Sequence, residues 1–267
     1  MSKLIGMDEA AELVVSGSTL ALGGLTLYRR PIAFVKALLK RHIKSQQPDH
    51  LTLLSFTAGI ESDLLLGAGM VSRVRSCYFG LEIFGLAPMF TDYANKGLVK
   101  VMEETEASLA FGLRAALANV GFMPGRGWIG TDLPKLRPDV KTVVDPYSGE
   151  ELMAFPAIHP DIAVIHALEA DSEGNAIIGD NKGVDLELAV TAKITIITAE
   201  QIVPSLSKAD IVAPVVDALV QAPAGAQPTS CHPLYPVDGG AILAYTEQVS
   251  EQESYNLFVS KWLSEKS

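Results

Sequence analysis

The sequence predicts an α/β fold, an open and mainly parallel sheet with flanking helices, in one domain spanning residues 1–267. Three observations carry this expectation. Short apolar runs of strand length alternate with segments whose apolar residues recur at helical spacing. Hydrophobic residues make up 48% of the chain and charged residues 19%, a balance suited to strands buried on both faces. Finally, the apolar run over 19–22 passes through Gly23-Gly24 into a helical pattern, the strand, glycine corner and helix from which parallel sheets are assembled.

Taken in order, residues 7–15 place Met7, Ala10, Ala11, Leu13 and Val14 among acidic side chains. That pattern predicts a helix, with Asp8 and Glu9 suited to the positive end of its dipole. Ser16-Gly17-Ser18 stops it, and the strand over 19–22 follows. Pro31, with its fixed φ, suits a first helical turn, and apolar spacing predicts a helix over 31–39. Residues 44–50 read as a polar loop, 51–55 as a strand running into Phe56, Thr57, Ala58 and Gly59, and 60–68 as a short helix. Next come a strand over 75–79, a helix over 86–96, a strand over 99–102, and a helix over 106–118 with Leu109, Leu113, Ala116 and Leu117 on one face. Pro124, Gly125, Gly127 and Gly130 predict a long loop over 123–139 that serves function or an interface. In the second half, strands are expected over 163–167, 176–178 and 194–198, a turn over 171–175 and a helix over 185–191. Extended pieces over 211–216 and 218–221 lead into a turn-rich stretch, 224–240. An amphipathic helix over 248–264, holding Phe258 and Trp262, closes the chain.

Composition excludes several classes. A formal net charge of -10 argues against nucleic acid as a partner. No apolar run reaches membrane-spanning length and the opening residues lack a signal-peptide pattern, so a cytoplasmic protein without a membrane partner is expected. Cys77 and Cys231 are too few for a disulfide framework and fit a reducing compartment. None of the five histidines pairs with another at the spacing that puts two ligands on one helix face, so no metal is expected. His166 lies in an apolar strand and reads as a satisfied core histidine, while His232 beside Cys231 reads as loop structure, because adjacent residues seldom face each other. There is no nucleophile elbow, phosphate-binding Walker loop or dinucleotide fingerprint.

What remains are glycine corners and carboxylates. Gly23-Gly24 leaves the strand where side chains would crowd a ligand, and the free N–H groups of the following helical turn favour an anion. Arg29 and Arg30 add positive charge at the same corner, although a tight turn into an ordinary helix gives the same pattern. Glu61 and Asp63 are explained by first-turn electrostatics, and Glu103 and Glu104 by a solvated face. Glu82 stands apart, following a strand and a glycine and meeting Ile83-Phe84-Gly85 in apolar company. Glu106 occupies a strand-to-helix junction, where a helix cap and an active-site acid or base look alike and the cap is the simpler reading.

With the glycine corner, LTLLSFTAG (51–59), YFGLEIFG (78–85), FGLRAAL (111–117), ADSEGN (170–175) and AGAQPTS (224–230) in this order, the chain resembles the family I CoA-transferases. More closely it is similar to the A (α) subunit of the glutaconate CoA-transferase type, from the opening helix to about Gly240. The resemblance implies an open α/β fold of that type and a heteromer, αβ or α2β2, of A and B subunits. It further implies a CoA ester as substrate with no permanently bound cofactor, and an acyl-CoA and a small carboxylic or dicarboxylic acid as partners. In that family a glutamate attacks the acyl-CoA, passes through a mixed anhydride and becomes a glutamyl-CoA thioester. A carboxylate is a weak nucleophile in water, so it must be held against the acyl carbon with N–H donors at the developing oxyanion.

The family's glutamate ends a strand just before small residues, and the matching strand here runs into Phe56-Thr57-Ala58-Gly59 without one. The resemblance therefore implies an A-type chain whose B partner carries the nucleophile. This chain would supply one wall of the cleft: Gly23 and Gly24 as backbone donors or points of close approach, Phe56 and Thr57 to Gly59 facing the nucleophile, and Glu82 at the substrate. Arg29 or Arg30 would meet a substrate carboxylate or a CoA phosphate, or else cap the loop or bridge to the partner. Relatives diverted to decarboxylation or hydrolytic ring opening of CoA esters keep the same two-subunit build, and in the ring-opening ones a glutamate matching Glu106 acts in the chemistry. A non-catalytic CoA-binding subunit is the contrasting alternative. Expressed alone, the chain is expected to expose a large apolar face.

Overall fold

A computed structural model describes residues 3–264; Met1 and Ser2 of the opening segment searched for a signal peptide lie outside the described residues. The first third holds α1 (Met7–Glu12), β1 (Thr19–Leu22), α2 (Ile32–Ser45), β2 (Leu51–Leu54), β3 (Thr57–Ala58), α3 (Ile60–Gly67), β4 (Val71–Ser76) and β5 (Tyr78–Phe79). The middle holds α4 (Pro88–Asn95), β6 (Lys100–Glu103), α5 (Glu106–Leu117), β7 (Phe122–Gly125), α6 (Leu133–Leu136), β8 (Lys141–Val144) and β9 (Glu151–Pro156). The last part holds β10 (Ile162–Asp171), β11 (Ala176–Ile177), α7 (Asp185–Thr191), β12 (Ile194–Val203), β13 (Ala218–Gln221), α8 (Gly239–Gln248) and α9 (Gln252–Ser264).

The main sheet runs β13-β12-β10-β1-β2-β4-β6 and is parallel along this path, with β11 antiparallel against β10. Side chains alternate faces along each strand, so one short apolar run feeds two cores. Leu20 and Leu22 join α1, α2, α3, α8 and α9 in one, whereas Ala21 joins α5 and α7 in the other. The same split divides Ile162 and Val164 from Ala163 and Ile165 on β10. From β1 the chain builds outward through β2, β4 and β6, then returns to β10 on the other side of β1. Such a reversal opens a crevice at the carboxyl ends of the two strands, and Gly23-Gly24 stand there.

The expected elements around this crevice are present, with three corrections. The single strand expected over 75–79 is two pieces: β4 ends at Ser76, and β5 pairs with β3 in a separate two-stranded sheet. Residues 123–139 are not a bare loop: β7 and α6 fall within them, and β7-β9-β8 form a separate antiparallel sheet. Trp128, Val140, Met153 and Phe155 give this arm its own core, and Phe111 of α5 packs against it. Near the carboxyl terminus, a helix begins at Gly239 inside the stretch read as turns, capped by Asp238 accepting from the Ala241 N–H at 3.0 Å, and the last helix starts at Gln252 rather than 248. Ile83 is 91% exposed, Leu86 71% and Tyr147 98%, so apolar side chains do face solvent on the described chain.

Candidate active site

At the crevice the glycine corner is closed from below. The Gly23 N–H donates to Val164 O at 2.9 Å, continuing the β1–β10 ladder. The Gly24 N–H donates to both carboxylate oxygens of Asp185, at 3.0 and 3.1 Å. These two glycines therefore offer no free N–H to an oxyanion, and the expectation that they act as backbone donors is corrected. Glycine is nevertheless required. A Cβ at Gly24 would lie 2.5 Å from Tyr28 O, its φ is +81°, and one at Gly23 would lie 2.9 Å from an Asp185 oxygen.

Arg29 and Arg30 turn inward, and both are fully buried. Arg29 donates to Asp185 at 2.8 Å, to His166 O at 2.6 Å and to Asn181 O at 3.1 Å. Arg30 donates to Glu61 at 2.5 Å, Gly24 O at 2.8 Å and Ser55 Oγ at 2.8 Å. The placement of either arginine against a substrate carboxylate or phosphate is thus corrected: their charge is spent on holding the loop to α7 and α3. Glu61 and Asp63 are likewise core groups rather than first-turn surface charges. Asp63 accepts from the Tyr245 hydroxyl at 2.6 Å and from the Met89 and Phe90 N–H groups, and burial pushes its pKa up to about 6.

The next corner, at the end of β2, is joined to the first. The Thr26 N–H donates to Thr57 Oγ1 at 3.0 Å, and a Cβ at Gly59 would lie 2.3 Å from Thr26 O. Thr57 and Ala58 pair with Tyr78 and Phe79 through β3 and β5. Ala58 and Gly59 are buried, whereas Phe56 and Thr57 are half-buried and reach the rim. At the end of β4, the half-buried Cys77 donates through its thiol to Phe56 O at 2.8 Å. Burial, and then the charge of Glu106, push that thiol up to about 11. Glu106 is the first residue of α5 and is exposed; Thr105, not Glu106, caps the helix. Among the described residues no hydrogen bond or ion pair engages the Glu106 carboxylate. Glu82 is also exposed, with φ +55°, and its N–H donates to the Tyr78 hydroxyl at 3.3 Å. Its apolar neighbour Ile83 faces solvent, so the apolar company expected for Glu82 is a rim rather than a pocket.

Three groups were missed by reading the sequence. Asp185 is one; a carboxylate two residues after Gly183 at a helix start was its only local signal. Glu104, expected on a solvated face, is 7% exposed and pairs with Arg75 at 2.6 Å and Arg137 at 2.7 Å. Glu200 is the third. It accepts from the Ala224 and Gly225 N–H groups and from the Tyr235 hydroxyl, and its contact with His166 Nε2 is 2.8 Å. His166 also meets Thr198 Oγ1 at 2.8 Å, so it is the satisfied core histidine that its strand suggested. His166, Glu200 and Cys231 bring ligand-type atoms within 4.8 Å of one another. The Glu200 carboxylate is engaged in pinning the 224–235 loop, and burial together with the Glu200 charge pushes the Cys231 thiol up to about 12. A cavity of about 380 Å³ lies between Ile32, Ile60, Leu64, Phe258 and Trp262 on one side and Ala224 and Pro228 of the 224–235 loop on the other.

A parallel sheet with glycine corners, a loose carboxylate and a half-buried thiol at its carboxyl edge has the architecture of α/β enzymes, in which ligands bind at the strand ends. Residues 5–221 match the Coenzyme A transferase family, and the chain belongs to it. It is 30% identical over 271 residues to the A chain of the 3-oxoadipate CoA-transferase of Pseudomonas knackmussii, covering 98% of this chain and 94% of that one. It is also 30% identical over 281 residues to the IpdA component of the cholesterol ring-cleaving hydrolase of Mycobacterium tuberculosis, covering 98% and 93%. Among solved structures, glutaconate coenzyme A-transferase from Acidaminococcus fermentans superposes with a TM-score of 0.89 at 30% identity, covering 98% of this chain and 89% of that one. A variant of the decarboxylase AibA/AibB gives 0.87 at 28% identity, covering 97% and 100%. The resemblance to A subunits of the glutaconate type is thereby established.

Proposed function

We propose that this chain is the A subunit of a two-subunit enzyme that moves CoA between an acyl-CoA and a small carboxylic acid, the nucleophilic glutamate being supplied by a B subunit. The observation that carries the reading is the end of β2. Residues 55–59 contain no carboxylate, and the next one along, Glu61, is fully buried against Arg30 and cannot attack an acyl carbon. In this reading the chain forms a wall: Gly23 and Gly24 keep its floor low, Phe56 and Thr57 face the partner's nucleophile, and Glu82 and Glu106 stand at the rim. Because Gly23, Gly24, Arg29 and Arg30 are spent internally, oxyanion donors and recognition of substrate carboxylates fall to the B subunit. Relatives whose names include a 3-oxoadipate and a glutaconate CoA-transferase support the transferase chemistry.

A second reading is favoured by Glu106, a solvent-facing carboxylate that no hydrogen bond or ion pair engages among the described residues. With it acting as a general base on water, the same wall serves hydrolysis of a CoA-linked ketone; a hydrolase and a decarboxylase stand among the relatives. Glu106→Gln in the assembled enzyme separates the readings. A transferase keeps kcat within a few fold, whereas a hydrolase loses ~10²–10⁴-fold, the usual contribution of a general base.

A further inference from the structure

Glu106 is held in place from outside the main sheet. The three residues before it are each gripped by the arm that β7, α6, β8 and β9 build: Arg137 donates to Glu103 O at 2.9 Å and to Glu104 at 2.7 Å, and the Trp128 indole N–H donates to Thr105 Oγ1 at 3.1 Å. Arg137 is 4% exposed, lies over the Trp128 ring at 5.8 Å, and is itself fixed by a two-pronged pair with Asp139 at 2.8 and 2.9 Å. The network then closes on the helix. Ser108 bonds both Glu104 and the Thr105 N–H, and Thr105 accepts from the Ser108 N–H at 3.2 Å, so the first turn of α5 is locked in rotation.

We propose that Arg137, with Trp128, is a positioning residue for Glu106: the arm sets the β6–α5 junction and so fixes where the exposed carboxylate stands at the cleft rim, at the paired ends of β4 and β6. The role of Glu106 in chemistry rests on the reading given above; its positioning by the arm does not. A network serving only to dock the arm would be satisfied by Arg137 meeting Glu104. Here the same guanidinium also holds a backbone carbonyl three residues from Glu106, and an independent side chain holds the helix cap.

Cys77 supplies the readout: it follows Ser76, the register partner of Glu103 on β6, its thiol is pushed up first by burial and then by the Glu106 charge, and the other cysteine, Cys231, is fully buried. Alkylation of Cys77 by neutral iodoacetamide at pH 8.5 follows its thiolate fraction. Glu106→Gln should speed alkylation, by up to about threefold, since burial is the larger cause of the raised pKa and even a fall of one full pH unit, which raises the thiolate fraction about tenfold, also lowers the thiolate's nucleophilicity. Arg137→Lys keeps the positive charge but cannot span Glu103 O, Glu104 and Asp139 at once. It should speed alkylation by a similar factor in the native background and give no further change when Glu106 is already Gln. An Arg137→Lys rate equal to that of the native chain overturns the proposal, as does an acceleration of equal size in both backgrounds, which would mean general loosening. Should Arg137→Lys lose its near-ultraviolet dichroism, Trp128→Phe decides by the same comparison, since it removes only the indole donor to Thr105. In the assembled enzyme, the thiol effect without a loss of kcat in Arg137→Lys would overturn the catalytic reading of Glu106 and leave its positioning intact.

Discussion

Replacing Glu61 by Gln is the perturbation that distinguishes an arginine built for the fold from one built for a substrate. Arg30 and Glu61 are both fully buried, and the guanidinium has one anionic partner together with two neutral acceptors, Gly24 O and Ser55 Oγ. Glu61 in turn accepts from the Gly59 N–H at 3.2 Å and from Ser62. Removing its charge while keeping its shape leaves the guanidinium buried and uncompensated, a change that costs about 3–5 kcal/mol. Domains of ordinary stability hold only about 5–15 kcal/mol in total. With a urea m-value of about 3 kcal/mol/M, the unfolding midpoint should fall by roughly 1–1.7 M with m unchanged. The double variant Arg30→Met with Glu61→Leu should be more stable than Glu61→Leu alone, since it removes the orphaned charge. A midpoint within about 0.3 M of the native one, accompanied by tighter binding of an anionic acyl-CoA, would show that Arg30 is available to ligand and refute the reasoning.

Gly24→Val should yield little folded protein, because its Cβ meets two backbone carbonyl oxygens, Tyr28 O at 2.5 Å and Arg29 O at 2.6 Å, where φ is +81°; native-like circular dichroism with loss of turnover alone would return this glycine to the ligand. Asp63 has its pKa raised by burial from 3.8 to about 6, so its contribution is fully present below pH 3.8 and is lost as pH rises through about 6. The difference amounts to about 3 kcal/mol. Urea midpoints between pH 4.5 and 7 should therefore fall more steeply in the native chain than in Asp63→Asn, and parallel slopes would remove Asp63 as the cause.

The strand and glycine corner at 19–24 were legible because a short continuous apolar run gives way there to apolar residues at helical spacing, and local backbone chemistry decides both. The alternation of such units also gave the parallel sheet. What the arginines do was not legible, since their partners come from far along the chain: Asp185 is brought to Arg29 by β10 lying beside β1, a long-range pairing that no local pattern encodes. A hint did exist in IESDLLLG, where Glu61 and Asp63 sit in a helix whose eight residues are all buried. Carboxylates in so apolar a segment need partners, and these came from far along the chain: Arg30 for Glu61, and the Tyr245 hydroxyl for Asp63. The arm was missed for a different reason. Its strands are short and carry Pro124 and Gly125, residues that signal turns, and they are held by Trp128 and Phe155 packing rather than by propensity. Likewise β10 and β12 run ten residues each, beyond the five apolar ones expected, because their polar ends pair in register as far as Asp171 and Val203.

The central claim, that this chain is the wall and a B subunit holds the nucleophile, is tested most directly by co-expressing it with the B-type subunit encoded beside it and weighing both chains after exposure to a panel of acyl-CoAs. A CoA adduct on a glutamate of the B subunit, with this chain unmodified, is the predicted result. Turnover of a CoA ester by the complex with release of carbon dioxide or uptake of water, and no adduct on the B subunit, would contradict it.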